Sequence, residues 1–353
     1  MKKVISLLLL LFTFSQLGYS QSDVYEELKR TYDQLREESK EDSALVVAKK
    51  MNAWALQVET DSSLRYAVSL RYVGSRFYSL SLNDSALYYW NKSLEVLEKQ
   101  QRAESLDAAY CLYNLGIFYY LDMGYYKIAE PHYLKALEIE KKFLGEEHPD
   151  YASNLNDLGN LYYDMGDYKS AEIYFKKSLK LKKKIFGEDH PDYASILNNL
   201  GNLFSDLGNY NLAELNYNQA LNIYKISLGE EHPDYAGTLN NLGLLYSSME
   251  KYESAQPYYI KALEIYKKTF GEDHTDYAMS LSNLGLLNNY LGEYRNSESN
   301  YTQALEIYKK TLGEEHPYYA SNLNNLASLY LDLGEYNSAE QLFQQVLKIY
   351  KKP

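Results

Sequence analysis

The string GEEHPDYASNLNDLG begins at Gly145 and returns, lightly edited, at Gly187, Gly229, Gly271 and Gly313, each 42 residues after the last. A strict step of this length points to a stacked array, in which each repeat buries its apolar face only against its neighbours. Alanines carry the register toward the N-terminus. Ala44, Ala86, Ala129, Ala171, Ala213, Ala255 and Ala339 recur at 42 or 43 residues, with Ser297 in the one gap. Eight repeats of this length account for essentially all of the chain after residue 20.

Each repeat reads as two helices. In the fourth, Asp150 or its neighbour is expected to cap the first helix, with Pro149 placed where a missing N–H costs nothing. Leu155, Leu158, Gly159 and Tyr162 then fall on one apolar face. Gly166 breaks the chain, as Gly208, Gly292 and Gly334 do later, and a second helix is predicted from about Tyr168 to Ile185. Ala171, Phe175 and Ser178 face its partner, small residues allowing close approach of the backbones. The lysines that end second helices, at Lys182, Lys267 and Lys309, suit the helix dipole and read as solvated helix ends. Gly116 to Gly124 carries one residue more than Gly159 to Gly166.

Ahead of the array, Lys2 and Lys3 precede the apolar run Val4 to Phe14, and Gly18 and Ser20 supply small residues for cleavage after Ser20. Residues 1–20 therefore read as a secretory signal peptide, and the mature protein is expected in a periplasmic or extracellular space. Cys111 is the only cysteine, so no internal disulfide and no cysteine-based zinc site is expected, and a buried small hydrophobe is its expected role. No other segment approaches a membrane-spanning length, so no membrane insertion is expected after signal cleavage. The net charge of -12 becomes more negative once Lys2 and Lys3 are removed, which argues against a nucleic-acid partner.

The histidines are the first candidates for chemistry. His148 stands two residues before Asp150, a spacing that could bind metal or trade protons. Its copies His190, His232, His274 and His316 lie one repeat apart, a helix-pair width of roughly 10 Å each way. Metal bonds are near ~2 Å, so two such imidazoles cannot share an ion. Thr275 replaces the proline in one copy and Tyr318 the aspartate in another, edits that a turn and cap tolerates and catalysis does not. No phosphate loop, nucleophile elbow or metal-ligand cluster appears, so no catalytic residue, metal or cofactor is expected. Tyr168, Tyr210, Tyr252, Tyr294 and Tyr336 open second helices, while Tyr151, Tyr193, Tyr235, Tyr277 and Tyr319 open first ones. Regularity of that kind points to packing.

The order Leu155, Leu158-Gly159, Tyr162, Ala171, Phe175, Ser178 resembles the tetratricopeptide repeat. The 42-residue step, the GEEHPDYA linker and the LNNLG core look like the version found in kinesin light chains and in many bacterial proteins. The resemblance covers five repeats closely and the first three loosely. It implies an all-α, right-handed superhelical solenoid of about eight antiparallel helix pairs. Two degenerate repeats would occupy 21–105 and six repeats 106–353, five of them with regular linkers. It also implies a non-catalytic scaffold for protein–protein interaction.

Two rows of asparagines mark where such a scaffold would work. Asn156, Asn198, Asn240 and Asn324 form one, with Ser282 in the gap. Asn114, Asn199, Asn241, Asn283 and Asn325 form the other, with Asp157 as the exception. Opposite the leucines, one helix face carries Asn156, Asn160, Tyr163 and Asp164, and the next Asn198, Asn202, Ser205 and Asp206. The later copies carry Asn240, Leu244, Ser247 and Ser248; then Ser282, Leu286, Asn289 and Tyr290; then Asn324, Ser328, Leu331 and Asp332. The resemblance implies that this face lines a concave groove holding an extended peptide or partner protein. A side-chain amide both donates and accepts, so it can pair with a peptide backbone, or equally with a neighbouring repeat. The face has no lysine or arginine from Asn156 to Asp332, and Asp164, Asp206 and Asp332 make it acidic. Neutral or basic partner segments are favoured, with Arg71 as one positive end. An alternative follows from the sequence QQVLKIYKKP, which shows no extra capping helix after Tyr350. Bacterial arrays resembling this one often precede an effector, so the chain could be the regulatory array of a longer caspase-like protease or sensor kinase, truncated after residue 353.

Overall fold

The computed structural model describes residues 21–351, and the leader read at 1–20 lies outside the described residues. Among the described residues there are sixteen α-helices and no strand. First and second helices alternate along the chain. They form two compact units that divide between Tyr174 and Phe175.

The first unit contains α1 (Gln21–Glu37), α2 (Glu41–Val58), α3 (Leu64–Ser79), α4 (Asn83–Lys99), α5 (Leu106–Ile117), α6 (Tyr126–Phe143) and α7 (Pro149–Asp164), and the start of α8 (Tyr168–Phe186). The second contains the rest of α8, then α9 (Pro191–Asp206), α10 (Tyr210–Ser227), α11 (Pro233–Ser248), α12 (Tyr252–Phe270), α13 (Thr275–Tyr290), α14 (Tyr294–Thr311), α15 (Pro317–Asp332) and α16 (Tyr336–Tyr350). Within each unit consecutive helices pack as pairs and each pair packs on the next, the arrangement of a tetratricopeptide solenoid.

The pairs close around one recurrent contact. A Cβ added to Gly74 would lie 2.7 Å from Trp90, one on Gly201 2.5 Å from Tyr217, and one on Gly243 2.7 Å from Tyr259. Gly285 and Tyr301 repeat the relation at 2.9 Å. A glycine on the first helix therefore admits a large ring from the second, and the ring is buried at every one of these positions. In the last pair Ala327 stands where the glycine did, and Phe343 where the tyrosine did.

The first-helix caps correct the sequence expectation. The cap is neither Asp150 nor its neighbour but His148, whose Nδ1 accepts the N–H of Asp150 at 3.2 Å, with Pro149 inside the first turn. His190, His232, His274 and His316 make the same bond at 3.1–3.2 Å. The imidazole reaches a backbone donor, so the side chain two residues on is free to vary, and His316 caps onto the N–H of Tyr318. Earlier repeats use serine instead. Ser63 accepts from Tyr66 N at 3.0 Å and Ser105 from Ala108 N at 3.3 Å. Just before these histidines, Gly229 holds φ +92°, a left-handed turn that a side chain would strain.

A second correction concerns the lysines. Lys141, Lys183, Lys225, Lys267 and Lys309 do reach forward from helix ends to Glu146, Glu188, Glu230, Glu272 and Glu314, and are exposed. Lys182 is not a solvated end. It is buried and pairs with Asp192 at 2.7 Å. It occupies the inward position that Glu140 holds one repeat earlier and that Tyr224, Tyr266 and Tyr308 hold later, all buried. The extra residue between Gly116 and Gly124 is absorbed as a π-helical turn over Phe118–Asp122.

Candidate functional site

In the second unit the asparagine rows lie where first helix meets first helix. Asn241 Nδ2 on α11 donates to Asn198 Oδ1 on α9 at 3.0 Å. Asn240 is buried and donates to Ser280 Oγ on α13 at 2.7 Å. Ser282 donates to Asn322 Oδ1 on α15 at 2.9 Å, and Asn289 Nδ2 to Asp332 Oδ2 at 2.9 Å. Asn202 is turned to its own pair, accepting from the Tyr217 hydroxyl at 2.7 Å. Asn199, Asn283 and Asn325 are half-buried, while Asn324 and Asp206 are exposed.

In the first unit Asn156 and Asn160 on α7 are half-buried. Asp164 is exposed and accepts from the Tyr120 hydroxyl at 2.6 Å. Arg71 is nearly covered, paired with Asp107 at 3.1 Å and lying over the rings of Tyr72 and Tyr110, so its charge is already answered within the unit.

The amides thus bridge adjacent first helices at several points, and part of each row has no free face. What remains open on the same face of the second unit includes apolar side chains that the asparagine pattern overshadowed. Leu244 is 41% exposed, Tyr290 55% and Leu331 44%. They sit at the wheel positions of Asn202, Asp206 and Asn289, and the signal for them was that shared position. Asp206 and Asp332 flank them, both exposed.

A different polar cluster stands in the first unit. Glu140 is buried among Tyr110, Tyr113, Asp150 and Ser153 at the edge of a cavity of about 190 Å³. Asn154 Nδ2 donates to its Oε2 at 3.1 Å. Burial pushes the Glu140 carboxyl up to about 7, and the nearby carboxylates of Asp150 and Asp157 add to the shift while Asn154 opposes it. The Tyr113 hydroxyl donates to Asp157 at 2.6 Å, and its own burial, then that carboxylate, raise it well above the usual phenol range. Among the described residues no group of three or more His, Cys, Asp or Glu side chains could hold a metal ion. None of their helices is long and apolar enough to cross a membrane.

A tetratricopeptide repeat profile matches residues 109–184, 162–226, 234–310 and 276–352. No curated protein matches the chain. Among solved structures it is similar to BtubC (BKLC) from P. vanneervenii, at 24% identity over 62% of this chain and 88% of that one, TM-score 0.53. It is similar also to nearly identical TPR-like repeats assigned to a kinesin light chain of Podosopora anserina, at 22% identity over 58% and 97%, TM-score 0.48. A Rap protein complexed with competence and sporulation factor is similar at 16% identity over 93% and 98%, TM-score 0.61. At such identities the likenesses to BtubC and to the Rap protein speak for the fold alone.

Proposed function

The chain belongs to the tetratricopeptide repeat family, and on that premise we propose that it is a non-catalytic scaffold holding an extended, neutral or basic polypeptide segment along its first helices. A repeat array of this family is a protein-interaction scaffold. The finer reading is carried by one observation. The first-helix face of the second unit leaves Leu244, Tyr290 and Leu331 open between the acids Asp206 and Asp332. Exposed apolar side chains give a partner contact area, and the acids disfavour a negatively charged one. The bridging amides Asn198, Asn241, Asn240 and Asn289 hold the helices that present them in register. The Rap structure, with its bound factor, is a protein of similar fold that carries a partner.

The test uses Leu244→Ala and Tyr290→Ala, both exposed enough to leave folding intact, with a photoreactive residue at position 331. The expected result is crosslinking to a polypeptide segment of neutral or positive charge, lost in the double variant. Undiminished crosslinking in a folded double variant would refute the groove reading. The same proposal puts the scaffold outside the cytoplasm, supported by Lys2 and Lys3 ahead of the apolar run Val4 to Phe14. N-terminal sequencing of the exported form should begin at Gln21, and a cytoplasmic protein still carrying Met1 would overturn it.

A further inference from the structure

One position of the first helix carries an aromatic ring in every repeat from the second onward, with a single exception. In chain order it holds Phe77, Tyr119, Tyr162, Phe204, Tyr246, then Asn288, then Tyr330. Where the residue is tyrosine in the fourth, sixth and eighth repeats, its hydroxyl donates to a glutamate on the preceding second helix. Tyr162 reaches Glu130 at 2.7 Å, Tyr246 reaches Glu214 at 2.6 Å and Tyr330 reaches Glu298 at 2.7 Å. The ring also lies on a ring of the following second helix. Tyr119 stacks on His132, Tyr162 on Tyr174 and Tyr246 on Tyr258, each with 8° between planes.

In the seventh repeat all three members of this clasp change together. Asn288 replaces the tyrosine, Gln256 stands where Glu214 and Glu298 stand, and Asn300 takes the place of Tyr258, as Asn216 does in the fifth repeat. The space that Tyr246 fills one repeat earlier is left as a cavity of about 270 Å³ between α12 and α14. Leu284 and Ile260 supply its apolar wall, and its polar lining includes Gln256, Asn288, Asn300 and the carboxylate of Glu293. Asn288 is 4% exposed, and its Oδ1 is buried without a hydrogen-bond partner. A buried amide oxygen left unpaired is costly and calls for a donor. Here the carboxylate is exchanged for an amide, which can both donate and accept.

We propose that this cavity is a docking pocket for a tyrosine side chain of a partner polypeptide, supplying from outside the ring that the seventh repeat lacks. The ring lies along Ile260 and along Leu284, the counterpart of the Leu242 on which Tyr246 packs, and the phenol meets the amides of Gln256 and Asn288. The pocket opens between second helices and not on the first-helix face, so it does not rest on the groove reading.

The experiment titrates N-acetyl-L-tyrosinamide into the full chain and follows the side-chain amide resonances of Asn288, Gln256 and Asn300 by nitrogen–proton NMR. The tyrosine probe should shift them saturably. N-acetyl-L-phenylalaninamide should bind roughly three- to tenfold more weakly, the contribution of one hydrogen bond, and N-acetyl-L-alaninamide should give no saturable shift. The double variant Asn288→Tyr, Gln256→Glu rebuilds the internal clasp and should abolish the response. Asn300→Tyr restores the ring that Tyr258 supplies one repeat earlier, and it blocks the pocket independently should the double variant not fold. Absence of saturable shifts with the tyrosine probe, equal shifts with the alanine probe, or an unchanged response in a folded blocked variant would each overturn the proposal.

Discussion

His232 caps α11 by accepting the backbone N–H of Asp234 on its Nδ1 at 3.2 Å. The two residues that look most like chemistry are thus joined through the backbone of one and the ring of the other. His232→Ala should cost about 1 kcal/mol of stability, the usual contribution of an N-cap. His232→Asp should keep most of it, since a carboxylate also accepts from the first turn. Urea melts read the total, and hydrogen exchange should localise the loss to the first turn of α11. A chelator should leave the melt unchanged, and a chelator-sensitive melt would count against the capping role.

Glu140 makes stability fall as pH rises. Its carboxyl titrates near 4.5 when unfolded and at about 7 when folded. Between those values the unfolded chain has released a proton that the folded chain still holds, so rising pH favours unfolding until the folded group ionises, and the effect then levels off. Glu140→Gln keeps an acceptor for Asn154 and removes the titration. The variant should match the parent at pH 4.5 and exceed it by as much as ~3 kcal/mol at pH 8. The check is a set of urea melts across that range. Parallel curves for the two proteins would show that Tyr110, Tyr113, Asp150 and Asp157 do not hold the carboxyl neutral.

Gly243→Ala should destabilise the sixth repeat by about 1–3 kcal/mol through overpacking, because the new Cβ meets the Tyr259 ring at 2.7 Å. Tyr259→Leu should cost stability alone yet lessen the penalty of Gly243→Ala when the two are combined. A double-mutant cycle measures that coupling, and strict additivity would mean the ring moves aside freely.

Asn198 and Asn241 join α9 to α11 by one amide–amide bond at 3.0 Å. Alanine at either position should cost roughly 0.5–1.5 kcal/mol, and alanine at both should cost less than the sum. The same cycle on Asn289 and Asp332 should give a smaller coupling, since the Asp332 end of that bond is open to water. Additive losses at Asn198 and Asn241 would show that the bond contributes nothing to stability.

Much of the fold is legible in the order of residues alone. The 42-residue step defines the repeats, the apolar positions on α7 give its buried face, and Gly166 and its copies mark the turns. Even the π-helical turn at Phe118–Asp122 has its sign in the sequence, as one residue too many between Gly116 and Gly124. The asparagine face is legible only in part, because a helix wheel shows which residues share a side and not what stands across from them. Asn240 and Asn324 hold the same place in the repeat, yet one is buried against Ser280 and the other open to solvent. Lys182 looks like its neighbours in a charged run and proves to be a buried partner of Asp192.

The sequence by itself determined the repeat, its two helices and where each begins and turns, because those depend on local propensities and on a period written along the chain. Tertiary structure alone decided which polar groups were consumed between repeats and that a cavity opens beside Asn288. These depend on distances between residues about forty positions apart. Such distances are set by how one helix pair packs on the next.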